Sequence, residues 1–204
     1  MRVGDTFTNQ ALTSRLRSLA WILLYFPGTA TVMADDLLTL DDRRSGDYVS
    51  SLGTSWRVIT DTVMGGVSSA ELVLDSVDNR DCLRLRGDIS LENNGGFVQA
   101  ALDLEGTRAV DASAYKGLTL DVYGNNEGYN LHLRTNDIWL PWQSYRSGFQ
   151  APVGWHTIRL PFESFKGYRI GSQLDLRQLK RIAIVAIGKA YKADLCVGSV
   201  ALYR

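Results

Sequence analysis

Proline occurs 4 times in this chain, cysteine twice and histidine twice, in 204 residues. Scarce proline argues against a Pro-rich linker or disordered tract. The two cysteines, Cys82 and Cys196, lie too far apart for a CxxC redox or zinc pair. His132 and His156 fit no HExxH or similar zinc pattern. Phosphate-loop and dinucleotide fingerprints are missing as well. Neither sign of charge is in excess: Lys plus Arg and Asp plus Glu are both 22. That balance lacks the basic footprint of a nucleic-acid binder or a membrane-surface protein, so nucleic acid is not expected as a partner and a membrane only indirectly. No apolar run approaches the ~20 residues of a comfortable transmembrane helix. Beyond residue 35 no long apolar stripe at helical spacing appears either.

What is present is glycine, at 19 residues, and an ordinary globular balance of 45% hydrophobic and 22% charged residues. Many glycines with few prolines suit tight turns between strands. The length allows one domain with a sizeable core, or two small ones.

Residues 1–34 read differently from the rest. Arg2, Arg15 and Arg17 face a single acid, Asp5, and are followed by the apolar run Leu19–Phe26. Pro27-Gly28 breaks any helix, and Val32-Met33-Ala34 offers small residues before Asp35. This is the layout of a secretory signal peptide, which predicts an exported, periplasmic or secreted protein. A mitochondrial transit peptide or an uncleaved membrane-associated segment are the alternatives. Cleavage after Ala34 leaves 204 − 34 = 170 residues. In an oxidising compartment Cys82 and Cys196 can pair, a bridge worth ~4 kcal/mol for so long a loop; two separate half-buried thiols are the other reading.

Residues 35–55, with the charge run Asp41-Asp42-Arg43-Arg44, are expected to be a solvated linker. From Trp56 onward short strands alternate with turns. Leu83, Leu85, Ile89 and Leu91 alternate with Arg84, Arg86, Asp88 and Ser90. Phe97–Leu104 reads as another strand, similar alternation marks Leu118–Tyr123 and Tyr129–Arg134, and further strands are expected over Tyr145–Phe149, Trp155–Leu160, Ile182–Ile187 and Leu195–Tyr203. Leu174–Lys180 can make one or two helical turns. Eight or nine strands without crossover helices predict an all-β, antiparallel jelly-roll sandwich over residues 56–204.

Two Gly-Gly motifs stand out. Asp61-Thr62-Val63-Met64-Gly65-Gly66-Val67-Ser68 follows Trp56, and Leu91-Glu92-Asn93-Asn94-Gly95-Gly96-Phe97 comes thirty residues later. Gly65 and Gly66 allow positive φ or close backbone approach, while Asp61, Thr62 and Ser68 can fix the turn. Asn93-Asn94-Gly95-Gly96 has the chemistry of a tight hairpin connection. Asp61, Glu92 and Asn93 can also offer oxygens to calcium, although their spacing matches no EF-hand; no cofactor or metal is expected.

These motifs, with Tyr129-Asn130-Leu131-His132-Leu133-Arg134, Trp155 and Leu160-Pro161-Phe162-Glu163-Ser164-Phe165, resemble the complex I intermediate-associated protein 30 family. The resemblance runs from about Trp56 to the C-terminus. It implies a galactose-binding-like β-sandwich and a non-enzymatic role in respiratory complex I (NADH:ubiquinone oxidoreductase) assembly, holding a protein intermediate. The export-type N-terminus departs from the address that mitochondrial members of the family need.

Candidate contact residues follow from exposure and alternation. Trp139, Trp142 and Tyr145 concentrate aromatic surface in a short stretch; such rings stack on sugars or anchor protein interfaces, or fill a core. Trp155, at a strand start, is expected in the core. Asn130, His132 and Arg134 share one strand face, with Thr119, Asp121 and Tyr123 as expected counterparts on a neighbouring strand. That face is either a binding surface or a plain solvated one. Asp121, His132 and Ser144 can be drawn as a triad, but no nucleophile elbow frames the serine. Asp103 and Glu105 are too generic to mark a glycosidase. The expectation is a protein-binding assembly factor, with an exported carbohydrate-binding module as the alternative and a glycan-active enzyme third.

Overall fold

The computed structural model describes residues 37–104 and 109–204. The expected signal peptide, residues 1–34, and Glu105 lie outside the described residues. Twelve strands are present among those described: β1 (Leu37–Asp41), β2 (Arg57–Thr60), β3 (Ser69–Val77), β4 (Arg80–Ile89), β5 (Phe97–Asp103), β6 (Gly117–Tyr123), β7 (Glu127–Thr135), β8 (Ser144–Ala151), β9 (Trp155–Pro161), β10 (Lys166–Tyr168), β11 (Leu179–Ile187) and β12 (Tyr191–Tyr203). The first sheet runs β3-β4-β12-β6-β9, with β1 also on β12; the second runs β10-β8-β7-β11-β5-β2. The strand pairs are antiparallel. This is the expected all-β sandwich.

Period-two alternation builds the core. Leu83 and Leu85 of β4, Leu118, Leu120 and Val122 of β6, and Tyr129, Leu131 and Leu133 of β7 turn inward and are buried. They meet Ile182 and Ile184 of β11 and Leu195 of β12. Burying each such side chain stabilises the fold by ~1.5–3 kcal/mol.

Four departures from the sequence reading have physical causes. Residues 37–41 are a strand rather than linker: Leu37 and Leu38 pair with Tyr203 and Leu202, and Leu40 is fully buried. Trp56 sits beside them and donates its indole N–H to Asp41 at 2.5 Å, while Arg43 pairs with the same carboxylate. β3 and β4 form a hairpin through Asp78 and Asn79, both at positive φ (51° and 59°), as a two-residue primed turn requires. The second Gly-Gly motif, expected to be a hairpin, instead carries the chain from β4 in the first sheet to β5 in the second, with Asn93 and Asn94 left-handed at φ 53° and 59°. Trp155 is not in the core: it lies half-buried on the outer face of the first sheet, donates to the Val77 carbonyl at 3.1 Å and carries the Arg80 guanidinium over its ring.

The helical turn expected over 174–180 is a single 3₁₀ turn, Leu176–Gln178, capped by the Asp175 carboxylate. Cys82 and Cys196 are joined across the neighbouring strands β4 and β12.

Candidate functional site: an arginine-lined cleft on the second sheet

Because Tyr129, Leu131 and Leu133 face the core, Asn130, His132 and Arg134 of β7 face outward. Register brings neighbours alongside. His132 stands between Arg146 of β8 and Ala183 of β11, and Arg134 stands beside Arg181. Further across, Val185 faces Asn130 on one side and Gln99 on the other, Gln99 pairs with Ile59, and Ile187 pairs with Phe97. The outer face therefore has two halves. Arginines and His132 occupy the β8–β7–β11 side. A second apolar cluster of Ala101, Ala183 and Val185, packed with Ile59, Phe97 and Ile187, occupies the β11–β5–β2 side.

Loops raise walls around this floor and make a cleft of about 610 Å³, within the size range of ligand sites. One wall is made by the two Gly-Gly motifs, through Val63, Met64, Leu91 and Asn94; the other includes Trp142, Gln143, Tyr168 and Arg169. Among the described residues the cleft is lined by Arg134, Arg146, Arg169 and Arg181, and by no Asp or Glu.

The motif wall is held by one carboxylate. Asp61 has no exposed surface. It accepts from the Ser68 amide at 2.9 Å, the Ser68 hydroxyl at 2.5 Å, the Gly96 amide at 2.5 Å and the Phe97 amide at 3.2 Å. Burial opposes ionisation of Asp61, but these hydrogen bonds outweigh it and hold the carboxyl below the usual carboxylate range. A Cβ on Gly66 would overlap the Asp61 carboxylate, and one on Gly95 would come within 2.6 Å of it. Gly65 serves differently: it ends the Asp61–Met64 3₁₀ turn in the left-handed region, at φ 89°. With its oxygens taken by four donors, Asp61 is a clamp between loops and not the calcium ligand that its oxygen chemistry allows. Glu92 and Asn93 stay outside this network. Among the described residues no group of three or more His, Cys, Asp and Glu is placed to hold a metal ion.

The opposite wall is held by arginines. Arg134 donates to the Pro141 and Ile138 carbonyls at 3.0 and 3.2 Å, and Arg146 donates to the Trp142 carbonyl at 3.3 Å. The Arg146 guanidinium also stacks over the Tyr168 ring at 3.6 Å. The 138–142 loop is thereby set with Trp142 at the rim and Trp139 86% exposed. Arg134, Arg146 and Arg169 form no ion pair among the described residues, whereas Arg181 pairs with Asp103.

His132 lies on the floor, 8% exposed. Its Nδ1 is 3.4 Å from the Ser144 hydroxyl, which accepts from Arg146 Nε at 2.9 Å. With Ser144 donating to Nδ1 the neutral ring carries its proton on Nε2, and with Ser144 accepting it carries it on Nδ1. Nε2 is buried and has no hydrogen-bond partner among the described residues. Burial, with the Arg146 charge adding to it, pushes the His132 pKa down to about 3.

The residues expected to bind divide accordingly. His132, Arg134 and Trp142 meet in the cleft. Asn130 faces the same way but lies outside the lining, and Trp139 stands beyond the rim. Tyr145 is corrected: it is 2% exposed, points into the core and donates to the Gln173 carbonyl at 2.9 Å. Thr119, Asp121 and Tyr123 are not counterparts of β7, because β6 belongs to the other sheet. Asp121 there bonds Arg80, Thr157 and Ser199. The imagined triad is thus split, and a histidine with so low a pKa is a poor base near neutrality.

The profile of the Complex I intermediate-associated protein 30 (CIA30) family matches residues 48–196. This chain belongs to that family. The matched span takes in both halves of the cleft floor and both Gly-Gly motifs, so the Asp61 clamp is a feature of this CIA30 domain's own architecture. Curated protein sequences hold no match to this CIA30-family chain. Solved structures do resemble it. A family 11 carbohydrate-binding module of the cellulosomal cellulase Lic26A-Cel5E of Clostridium thermocellum superposes with TM-score 0.66 at 14% identity, over 83% of this chain and 95% of that one. The family 11 module from the same organism in complex with a β-1,3-1,4-mixed-linked tetrasaccharide gives 0.65 at 14%, over 83% and 96%. A family 30 module of its cellulase Cel9D-Cel44B gives 0.51 at 15%, over 67% and 90%. At such identities the likeness concerns the fold: the CIA30 domain is a jelly-roll, galactose-binding-like sandwich.

Arg146, Arg169, Arg181, Tyr168 and the apolar floor escaped the sequence reading. Ile182-Ala183-Ile184-Val185-Ala186-Ile187 is apolar on both faces of β11, so alternation could not say which side met the core. Ser144 and Arg146 do alternate with Tyr145 and Ser147, and that weak signal was the one available.

Proposed function

We propose that this CIA30-family protein is a non-enzymatic binding protein that holds a protein partner in the cleft of its second sheet, in the manner of an assembly factor. The observation that carries the reading is the concentration of exposed apolar surface at one place. Val63, Met64, Leu91, Trp142 and Tyr168 are each at least 39% exposed, and all five line the cleft. Grouped exposed apolar residues with aromatic and arginine neighbours are the chemistry of protein interfaces. Absence of enzymatic activity belongs to the same proposal, supported by the weak basicity of His132 and the missing acid behind it.

Export of the mature protein from Asp35 is part of the proposal. The Cys82–Cys196 bridge supports it, since such bonds persist in oxidising compartments. The test is in-cell photocrosslinking from position 143, which also lines the cleft, with Trp142→Ala and Arg134→Gln as controls. A defined protein adduct that both controls lose is the expected result; unchanged adducts with the controls, or none at all, would overturn the reading.

A second reading has an observation of its own. Trp142 and Tyr168 present aromatic rings at the mouth of the cleft, beside its polar, arginine-bearing half, a combination that suits stacking on sugar rings. Glycan-array binding lost in Trp142→Ala, without any protein adduct, would favour an exported carbohydrate-binding module.

A further inference from the structure

The lining of the cleft offers hydrogen-bond donors and cations, with no anion among them. Arg134 and Arg146 each spend two N–H groups on loop carbonyls or Ser144 and keep others free to bond, since a guanidinium carries five. Arg169 adds a further cation, exposed at the rim. His132 Nε2 is more telling. In the tautomer in which Ser144 donates to Nδ1 it is a neutral N–H donor, on a residue more than nine-tenths buried that lines the cleft, and it has no hydrogen-bond partner among the described residues. A buried polar group without a partner is destabilising, and an acceptor reaching that N–H from the cleft removes the cost. Adjacent to these donors, on the same floor, the half-buried Ile59, Phe97 and Ile187 lie over the buried Ala183 and Val185 and offer an apolar surface.

We infer that the occupant of this cleft is an acidic, apolar-bearing polypeptide segment. A carboxylate sits between Arg134, Arg146 and His132 Nε2, and an apolar side chain lies on the β11–β5–β2 half of the floor. This rests on the reading that the cleft holds a protein, and names the chemistry of the segment it takes. Charge complementarity selects a carboxylate over an amide: Gln has the same shape as Glu but brings an NH₂ toward three arginines that have no carboxylate partner among the described residues. The adjoining apolar half selects a peptide over a uniformly polar acidic glycan, which has nothing to bury there.

The test uses the full chain, immobilised, and a library of N-acetylated, C-amidated octapeptides randomised over Glu, Gln, Leu, Phe, Gly and Ser. Retained peptides are sequenced by mass spectrometry. Glu is expected to be enriched over Gln by roughly ten-fold at low salt, with Leu or Phe co-enriched, and the preference should shrink in high salt. The Arg134→Gln/Arg146→Gln double variant should lose the preference. Because those arginines also brace the loop, His132→Leu and Arg169→Gln are run beside it and should each weaken the preference while leaving the thermal transition in place. Equal retention of Glu and Gln peptides, both lost in Trp142→Ala, overturns the acidic inference but leaves the protein-binding reading standing. Retention of no peptide overturns both. Displacement of bound peptides by a mixed-linkage glucan or tetragalacturonate, each at concentrations below those of the peptides themselves, assigns the cleft to glycans and overturns the inference.

Discussion

The Asp61 carboxylate accepts the Gly96 amide at 2.5 Å, joining residues 35 apart in the chain. Through this bond and those to Ser68 and Phe97, the first Gly-Gly motif reads out the second. Each motif supplies what the other needs: one a buried anion, the other amides with no side chain in the way. The wall of the cleft formed by Val63, Met64 and Leu91 depends on that pairing.

Asp61→Asn should therefore destabilise the domain by ~2–4 kcal/mol, because an amide places an NH₂ against donors and forfeits charge-assisted bonds. Urea unfolding of the variant against the parent measures it. A change below about 0.5 kcal/mol would mean the clamp is not what holds the two loops.

The glycines should separate by mechanism. Gly66→Ala puts a methyl into the Asp61 carboxylate and Gly95→Ala brings one to 2.6 Å of it, so each should cost ~1–3 kcal/mol from overpacking. Gly65→Ala meets no atom within 4 Å, and only its φ of 89° is strained; about 1 kcal/mol is expected. Chemical denaturation of the three variants side by side checks the order, with Gly65→Ala the mildest.

His132 makes stability depend on pH. Its pKa falls from 6.5 to about 3 on folding. Between those values the unfolded chain binds the proton and the native chain does not, so stability rises with pH there. The contribution is complete above pH 6.5 and declines on acidification, by at most ~1.4 kcal/mol per pH unit. Asp61, whose pKa is also depressed, adds a loss of the same sign at still lower pH. Thermal melts from pH 7 to 4 should show a shallower slope in His132→Leu than in the parent.

The Cys82–Cys196 bridge closes a loop of more than a hundred residues. The Cys82→Ala/Cys196→Ala double variant should lose ~4 kcal/mol. Intact mass of the purified protein, before and after reduction, should differ by two hydrogens; equal masses would show two thiols instead.

The fold was legible because strands buried on one face write period-two alternation into sequence, as Leu83 to Ile89 and Tyr129 to Arg134 do. Leu37–Asp41, Ser69–Val77 and Lys166–Tyr168 were not legible, since edge and peripheral strands alternate weakly or are too short. Chain chemistry alone also marked His132, Arg134 and Trp142 as contact residues, and the two Gly-Gly motifs as special. Which of them meet was a tertiary matter. Asn130, His132 and Arg134 share a face by local geometry, but whether Asp121 or Arg146 stands beside them depends on which sheet β6 joins. Tyr145 turned inward because Ser144 and Arg146 took the outer positions of β8. Asp61 looked like a turn residue, since the donors from Gly96 and Phe97 come from a loop that only sheet packing brings within hydrogen-bond reach. Local sequence dictates the pleat and the turns; partners distant in the chain are chosen by burial of the whole core, and the cleft is made of such partners.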